Sequence, residues 1–129
     1  MTMSSYARRL EKLNRYLQNI DRAILEGRYT LARRLAYRCL NEYYFKFLRT
    51  RVPNYKNWRS TRLMSIYISR YIMKYFRANR IPVPDNNVAK IALATNSLEN
   101  NLDAEADRAS ATFARDTMTG IVRFLCRFM

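Results

Sequence analysis

The chain has 129 residues, a formal net charge of +14 and a sequence isoelectric point near 10.4. This length predicts a single domain over residues 1–129, large enough to bury its own hydrophobic core. Hydrophobic residues make up 49% of the chain, whereas only two glycines and three prolines are available for turns. The composition argues against an all-β fold and favours an all-α protein.

The positive charge is concentrated in the first part of the chain. Residues 1–80 carry 19 basic and 4 acidic groups, whereas residues 81–129 carry 5 basic and 6 acidic groups. Nineteen of the 24 basic residues are arginine, whose planar guanidinium pairs bidentately with phosphate. The uneven distribution therefore predicts a defined basic surface and a polyanionic partner.

The two cysteines, Cys39 and Cys126, both lie in apolar helical patterns. We expect two reduced, buried thiols, since free cysteine behaves as a small core residue; a disulfide between them is the alternative. The N-terminal segment lacks the apolar stretch of a signal peptide, and no window reaches the roughly 18 uncharged apolar residues of a membrane span. We therefore expect a soluble, cytoplasmic protein that does not enter a membrane.

Apolar residues recur every three or four positions near the N-terminus, which predicts a first helix that Ser4 or Ser5 caps and that runs to about Glu26. They form a heptad seam of Tyr6, Leu10, Leu13, Leu17, Ile20 and Ile24. Gly27 ends this helix, and a second helix is predicted over residues 29–51, before Pro53. Its buried side is predicted to hold Leu31, Ala32, Leu35, Ala36, Cys39, Leu40, Tyr43 and Phe47, with its basic residues mostly on the other side.

The most apolar stretch is Asn57–Arg80, and we expect the rest of the chain to be organised around it as a third helix. Its polar side is predicted to be a narrow cationic stripe of Arg59, Arg62, Ser65, Ser69, Arg70, Lys74 and Arg77. A fourth helix is predicted from Asp85 to near Asn100. A last helix is predicted to bury Ala106, Ala109, Phe113, Met118, Ile121, Phe124, Leu125 and Phe128. These elements predict a compact all-α bundle of four to five helices.

Residues suited to catalysis or metal binding are scarce. The chain has no histidine, and therefore lacks the commonest general base and metal ligand at neutral pH. Glu99, Asp103 and Asp107 recur every four residues, a spacing compatible with a hard cation, but we expect them to cap and complement the last helix instead. We therefore expect a protein that is not an enzyme and holds no metal or cofactor. A histidine-free nuclease is the enzymatic alternative.

The main candidate site is a basic surface with interspersed aromatic residues. Around Pro53, basic side chains alternate with Phe47, Tyr55 and Trp58, which combines phosphate-neutralising and base-stacking groups. Phe47 continues a buried helical face and is expected in the core, so Tyr55 is the best stacking candidate; Trp58 is equally compatible with core and ligand. The predicted nucleic-acid-binding residues are Arg33, Arg34, Arg38, Arg49, Arg51, Tyr55, Lys56, Trp58, Arg59, Arg62, Arg70, Lys74 and Arg77. We expect a groove with residues 49–62 as its floor and the third helix as one wall.

Residues 17–51 resemble the helical leader that precedes the fingers of group II intron-like reverse transcriptases. The shared elements are Leu17, Gln18, Ile20, Ala23, Gly27, Leu35 and Leu40, followed by a basic tail. In that family the leader binds template RNA. The resemblance therefore implies an RNA-binding role for Arg33, Arg34, Arg38, Arg49 and Arg51. Nothing in the chain resembles the paired aspartates of the polymerase, so only an accessory role is implied.

The helical layout also resembles a HEPN-type bundle. In such a bundle a helix pair joined by a Gly-Arg-Tyr-like turn, here residues 27–29, precedes an alanine-rich C-terminal helix. Active members of that family use an arginine and a histidine several residues later as a ribonuclease site. Because this chain has no histidine, the resemblance implies a catalytically silent relative.

The sequence thus favours a non-catalytic nucleic-acid-binding protein, with RNA preferred to DNA, that serves as an accessory subunit of a larger ribonucleoprotein assembly. The apolar bulk of the third helix also suggests a larger protein partner or self-association. The alternative is a protein-interaction module, such as an antitoxin-like inhibitor or scaffold, whose arginines bind an acidic partner. A membrane surface is disfavoured because the apolar faces match one another across a bundle.

Overall fold

A computed structural model of the chain describes residues 5–52, 60–81, 85–100 and 104–127. Within these ranges the protein consists of five helices: α1 (Ser5–Leu25), α2 (Tyr29–Arg51), α3 (Thr61–Ala78), α4 (Asp85–Asn100) and α5 (Arg108–Cys126). The predicted all-α bundle is confirmed, and the bounds of α2 agree with those expected from the sequence. None of the helices in these ranges is long and apolar enough to cross a membrane.

The helix ends follow local backbone chemistry. α1 ends at Leu25, just before Gly27, whose φ of 74° lies in the left-handed region that favours glycine. There the N–H of Arg28 donates to the carbonyl of Ala23 over 2.8 Å, which closes a Schellman turn. Ser60 caps α3 and Asp107 caps α5, since each side chain accepts a hydrogen bond from the backbone N–H three residues later.

The bundle is built around α2, and the expectation that the third helix is its centre was wrong. α2 packs against α1, α3 and α5, whereas α3 packs mainly against α2 and α4. The buried residues of α2 are Ala32, Arg33, Ala36, Cys39, Leu40, Tyr43, Tyr44, Phe47 and Leu48. α3 is more apolar than α2, but the apolar content of a helix does not determine how many neighbouring helices pack against it.

Contacts along α2 show the direction of α3. The Thr61 hydroxyl donates to Oδ1 of Asn41 over 2.7 Å, and Tyr71 meets Phe47 edge-on with ring centroids 5.6 Å apart. Residue numbers therefore increase together along the two helices, so α2 and α3 run in the same general direction. α3 starts beside the middle of α2 and runs towards its C-terminal end.

Polar contacts tie the outer helices to this centre. The hydroxyls of Tyr44 on α2 and Thr95 on α4 are hydrogen-bonded over 2.7 Å in the fully buried core. Arg115 of α5 binds both carboxylate oxygens of Asp21 on α1, with Nε to Oδ1 at 2.6 Å and Nη2 to Oδ2 at 3.3 Å. Both cysteines are buried and free, so their expected burial is confirmed.

Candidate nucleic-acid interface

The carboxylates of the basic half of the chain are all engaged in ion pairs. The four pairs are Glu11–Arg15, Asp21–Arg115, Glu26–Arg28 and Glu42–Lys12. These are the only acidic residues among residues 1–80. Among the described residues, none of the exposed basic side chains of α2 and α3 has a carboxylate partner. Their positive charge is therefore open to an external anion.

On α2, the predicted contacts form one basic face and one outlying residue. Arg34, Arg38 and Arg49 are exposed and spaced by four and eleven residues, which places them along one side of a helix. Arg51 is also exposed, but it comes two positions after Arg49. At about 100° per residue it lies about 200° around the helix from Arg49, on the other side. Three of the four exposed arginines of α2 thus lie on one side of the helix, which is called the α2 stripe below.

The predicted stripe on α3 is narrower than the sequence indicated. Ser65 is fully buried, and its hydroxyl donates to the backbone carbonyl three residues earlier. The Ser69 hydroxyl donates to the carbonyl of Ser65, four residues earlier. Arg70 lies over the ring of Tyr67, with 5.9 Å from its guanidinium carbon to the ring centroid. The exposed basic residues of this ridge are Arg62, Arg70, Lys74 and Arg77.

Arg33 does not lie on the basic surface, which corrects its predicted role. Its side chain is 5% exposed, and its guanidinium donates a hydrogen bond to the carbonyl of Ala104. Position 33 shares a helical face with Leu40 and Tyr44, which are fully buried. The long apolar stem of arginine allows such burial when its charged end finds a carbonyl. Arg33 therefore joins α2 to the segment before α5.

The predicted groove floor is only partly described. Tyr55, Lys56, Trp58 and Arg59 lie outside the described residues, so base stacking around Pro53 stays a prediction. Arg62 follows Thr61, whose side chain contacts Asn41 of α2. Asn41 lies eight residues before Arg49, which is about 12 Å along the helix. The structure thus brings the start of the α3 ridge close to the middle of the α2 stripe and not to its end.

A basic groove between α1 and α2 was missed by the sequence reasoning. Its volume is about 560 Å³, and its lining residues are Arg8, Arg9, Glu11, Lys12, Arg15, Glu42, Tyr43 and Lys46. Arg8, Lys12 and Arg15 recur at spacings of four and three, the same signal that identified the apolar seam of α1. Applied to the polar side of α1, that signal would have identified these three basic residues, but not the side of α2 that they meet.

An apolar groove of about 480 Å³ lies between α4 and α5. Phe113 lines it and is 56% exposed, and Ala109 is exposed as well, so their predicted burial was wrong. α5 directs a different face, which includes Ala111, Ala114 and Met118, into the core. Phe113 and Ala109 therefore lie outside the contact with α1 and α2.

The described residues offer little for catalysis. No group of three or more histidine, cysteine, aspartate or glutamate side chains that could hold a metal is found among them. Burial raises the pKa of the Cys39 thiol to about 12, which disfavours the reactive thiolate at neutral pH. Asp107 caps α5, and hydrogen bonds from the Ser110 side chain and backbone lower the pKa of its carboxyl. Asp103 lies outside the described residues.

Comparison with known proteins supplies no relative. No protein-family model matches the chain, and no curated protein and no solved structure matches it significantly. The resemblances to the reverse transcriptase leader and to HEPN bundles therefore stay predictions.

Proposed function

We propose that the protein is a non-catalytic nucleic-acid-binding subunit of a larger ribonucleoprotein assembly. The observation that carries this proposal is the set of exposed basic side chains on α2 and α3 without carboxylate partners in the described structure. From the predicted site these are Arg34, Arg38, Arg49, Arg51, Arg62, Arg70, Lys74 and Arg77. Phosphates would supply the missing negative charge and release counterions on binding. The preference for RNA rests on the two sequence resemblances.

This mode of binding has a defined thermodynamic signature. Contacts to phosphate fix the position of a nucleic acid but carry no sequence information. Binding should therefore depend weakly on sequence and steeply on salt. Each phosphate contact contributes roughly −0.7 to the slope of log K against log salt concentration for a single strand and roughly −0.9 for a duplex.

A salt series tests the proposal. Labelled single-stranded and duplex RNA and DNA would be titrated with the protein, and the variant Arg34→Gln/Arg38→Gln/Arg49→Gln would be compared with Arg108→Gln/Arg123→Gln/Arg127→Gln. Both variants lose three exposed charges, but the second removes them from α5 and its end. We expect the α2 variant to flatten the slope and the α5 variant to change it little. A flat wild-type slope, or no binding at low salt, would refute the proposal.

A second candidate function is a protein-interaction module, such as an antitoxin-like inhibitor or scaffold. The exposed Phe113 in the apolar groove, together with Leu93 at 70% exposure, favours a protein partner. Light scattering after nuclease treatment separates the candidates. Purified protein that carries absorbance at 260 nm supports nucleic-acid binding, whereas a clean homo-oligomer or a stoichiometric protein complex supports the second function.

A further inference from the structure

We propose that the groove between α1 and α2 is the principal nucleic-acid site and that it takes a single strand. Phosphates would lie on Arg8, Arg9 and Lys46, and a base would lie against Phe45. The inference rests on the proposed nucleic-acid-binding function. To that function it adds where the nucleic acid binds and that the ligand is a single strand. The residues that it names as contacts are not among those predicted from the sequence.

The charge of the groove favours an anion. Five of its lining side chains are basic and two are acidic, and both carboxylates already have partners. Glu42 pairs with Lys12 at 3.3 Å and Glu11 with Arg15 at 3.6 Å. Within the described ranges, the other three basic side chains have no carboxylate partner. They are Arg8, Arg9 and Lys46.

The shape of the groove strengthens this charge. A cleft lined mainly by one sign of charge focuses the electric field, because its low-dielectric walls exclude water from part of the space. The exposed side chains of the α3 ridge, by contrast, project from the outer surface of a single helix. Equal numbers of charges should therefore attract phosphate more strongly in the groove than on the ridge.

The dimensions fit one strand. From Arg8 to Arg15 the groove extends seven residues along α1, about 10 Å at 1.5 Å per residue. At the roughly 3.4 Å axial rise per phosphate of a stacked strand, this length covers up to about three phosphates. The major groove of a duplex admits a whole α-helix, so a duplex is wider than the space between two packed helices, whose axes lie about 8–10 Å apart. A duplex is too wide to enter a groove between two such helices.

An aromatic side chain extends the groove at the α2 side. An adjoining cavity of about 400 Å³ shares Lys12, Glu42 and Lys46 with the groove and is also lined by Phe45 and Arg49. Phe45 is half-buried, so one part of its ring is held by the protein while another part is accessible. A basic groove next to an aromatic face is the arrangement with which proteins bind single strands.

The groove is also held in shape before a ligand binds. The Tyr43 hydroxyl of α2 donates to the carbonyl of Arg9 on α1 over 2.5 Å. The Lys12–Glu42 ion pair joins the same two helices one turn further along. The two helices therefore need little rearrangement when phosphates bind along them.

Two variants with equal loss of charge test the site. The groove variant is Arg8→Gln/Arg9→Gln/Lys46→Gln, and the control is the α5 variant Arg108→Gln/Arg123→Gln/Arg127→Gln, whose residues are exposed and belong to neither the groove nor the predicted site. Each would be titrated with a labelled single-stranded RNA of about 12 nucleotides and with the matching duplex over a salt series. The groove variant should reduce the single-strand slope by about 2, since it loses three contacts of roughly 0.7 each. The α5 variant should change the slope by less than one contact.

Further measurements keep the result interpretable. Phe45→Ala should weaken single-strand binding by about tenfold without changing the slope, because stacking releases no counterions. Thermal unfolding establishes that each variant folds, and the double variant Arg8→Gln/Lys46→Gln replaces the triple if half-buried Arg9 proves necessary for folding; it should reduce the slope by about 1.4.

The outcomes separate the two proposals. If the wild-type protein binds neither single strand nor duplex at low salt, the proposed function itself fails. If the wild type binds but the groove and α5 variants lose equal slope, or the duplex binds more tightly than the single strand, the groove inference fails and the proposed function stands. A selective loss in the groove variant supports both.

Discussion

Arg33 and Arg34 are adjacent in the sequence but have opposite environments, so alanine substitutions at these positions should separate folding stability from binding. Arg33 is 5% exposed and donates to the Ala104 carbonyl, whereas Arg34 is exposed on the α2 stripe. We expect Arg33→Ala to destabilise the fold and to leave the salt dependence of binding unchanged. We expect the reverse for Arg34→Ala.

The magnitude follows from the contacts of each side chain. A hydrogen bond with one charged partner contributes about 1.5–3 kcal/mol, and loss of the buried stem of Arg33 adds to this. The variant no longer incurs the cost of burying a guanidinium, which offsets part of the loss. We expect a net destabilisation of about 2 kcal/mol. An unfolding entropy near 2.1 cal/mol/K per residue over 129 residues converts this to about 7 °C in Tm.

The assay combines thermal unfolding by circular dichroism with the salt series for RNA binding. Arg34→Ala is a surface substitution and should change stability by less than about 0.5 kcal/mol, or about 2 °C. It should lower the single-strand slope by about 0.7. Measurements well below the Tm of Arg33→Ala keep that variant folded. An equal fall in Tm for both variants, or a lower slope for Arg33→Ala with unchanged Tm, would refute the reasoning.

Three further predictions concern the core and the helix cap. Tyr44→Phe should cost about 1 kcal/mol because it removes the buried hydrogen bond to Thr95; an unchanged Tm in calorimetry would contradict this. Because burial raises the pKa of the Cys39 thiol to about 12, the folded state favours the neutral thiol, and stability should fall as the pH rises from about 9 to 12. Cys39→Ala should weaken that alkaline dependence, and no change would contradict the assignment. Hydrogen bonds from Ser110 lower the pKa of Asp107, so its contribution is present at neutral pH and lost as the pH falls below the usual range of aspartate. Asp107→Asn should flatten the acid limb of an unfolding curve, whereas an identical limb would argue against the cap.

Local signals predicted most of the secondary structure. The bounds of α2 follow from Gly27 and Pro53, and the end of α4 follows from the weak helix formers near Asn100. Such signals depend on nearby backbone groups, which the sequence contains in full. The class of the candidate site, a basic surface rich in arginine, was likewise predictable from the uneven charge.

The composition of the site was less predictable. Arg33 belongs to a buried face with Leu40 and Tyr44, but a charged residue in such a pattern is normally read as exposed. The groove between α1 and α2 needs basic side chains from both helices, here Arg8 and Lys46, which are 38 positions apart in the sequence. The spacing of residues within α1 does not specify which side of α2 packs beside them.

The sequence by itself determined an all-α chain with a strongly basic first part, since helix periodicity, few turn residues and charge are properties of local segments. Only the tertiary structure decided that α2 is the central helix, that Arg33 is buried and that α1 and α2 enclose a basic groove. The physical reason is that burial and concavity depend on which helices pack together. The same apolar stripe on α3 can form a centre or a flank, and the side chains of its neighbours determine which.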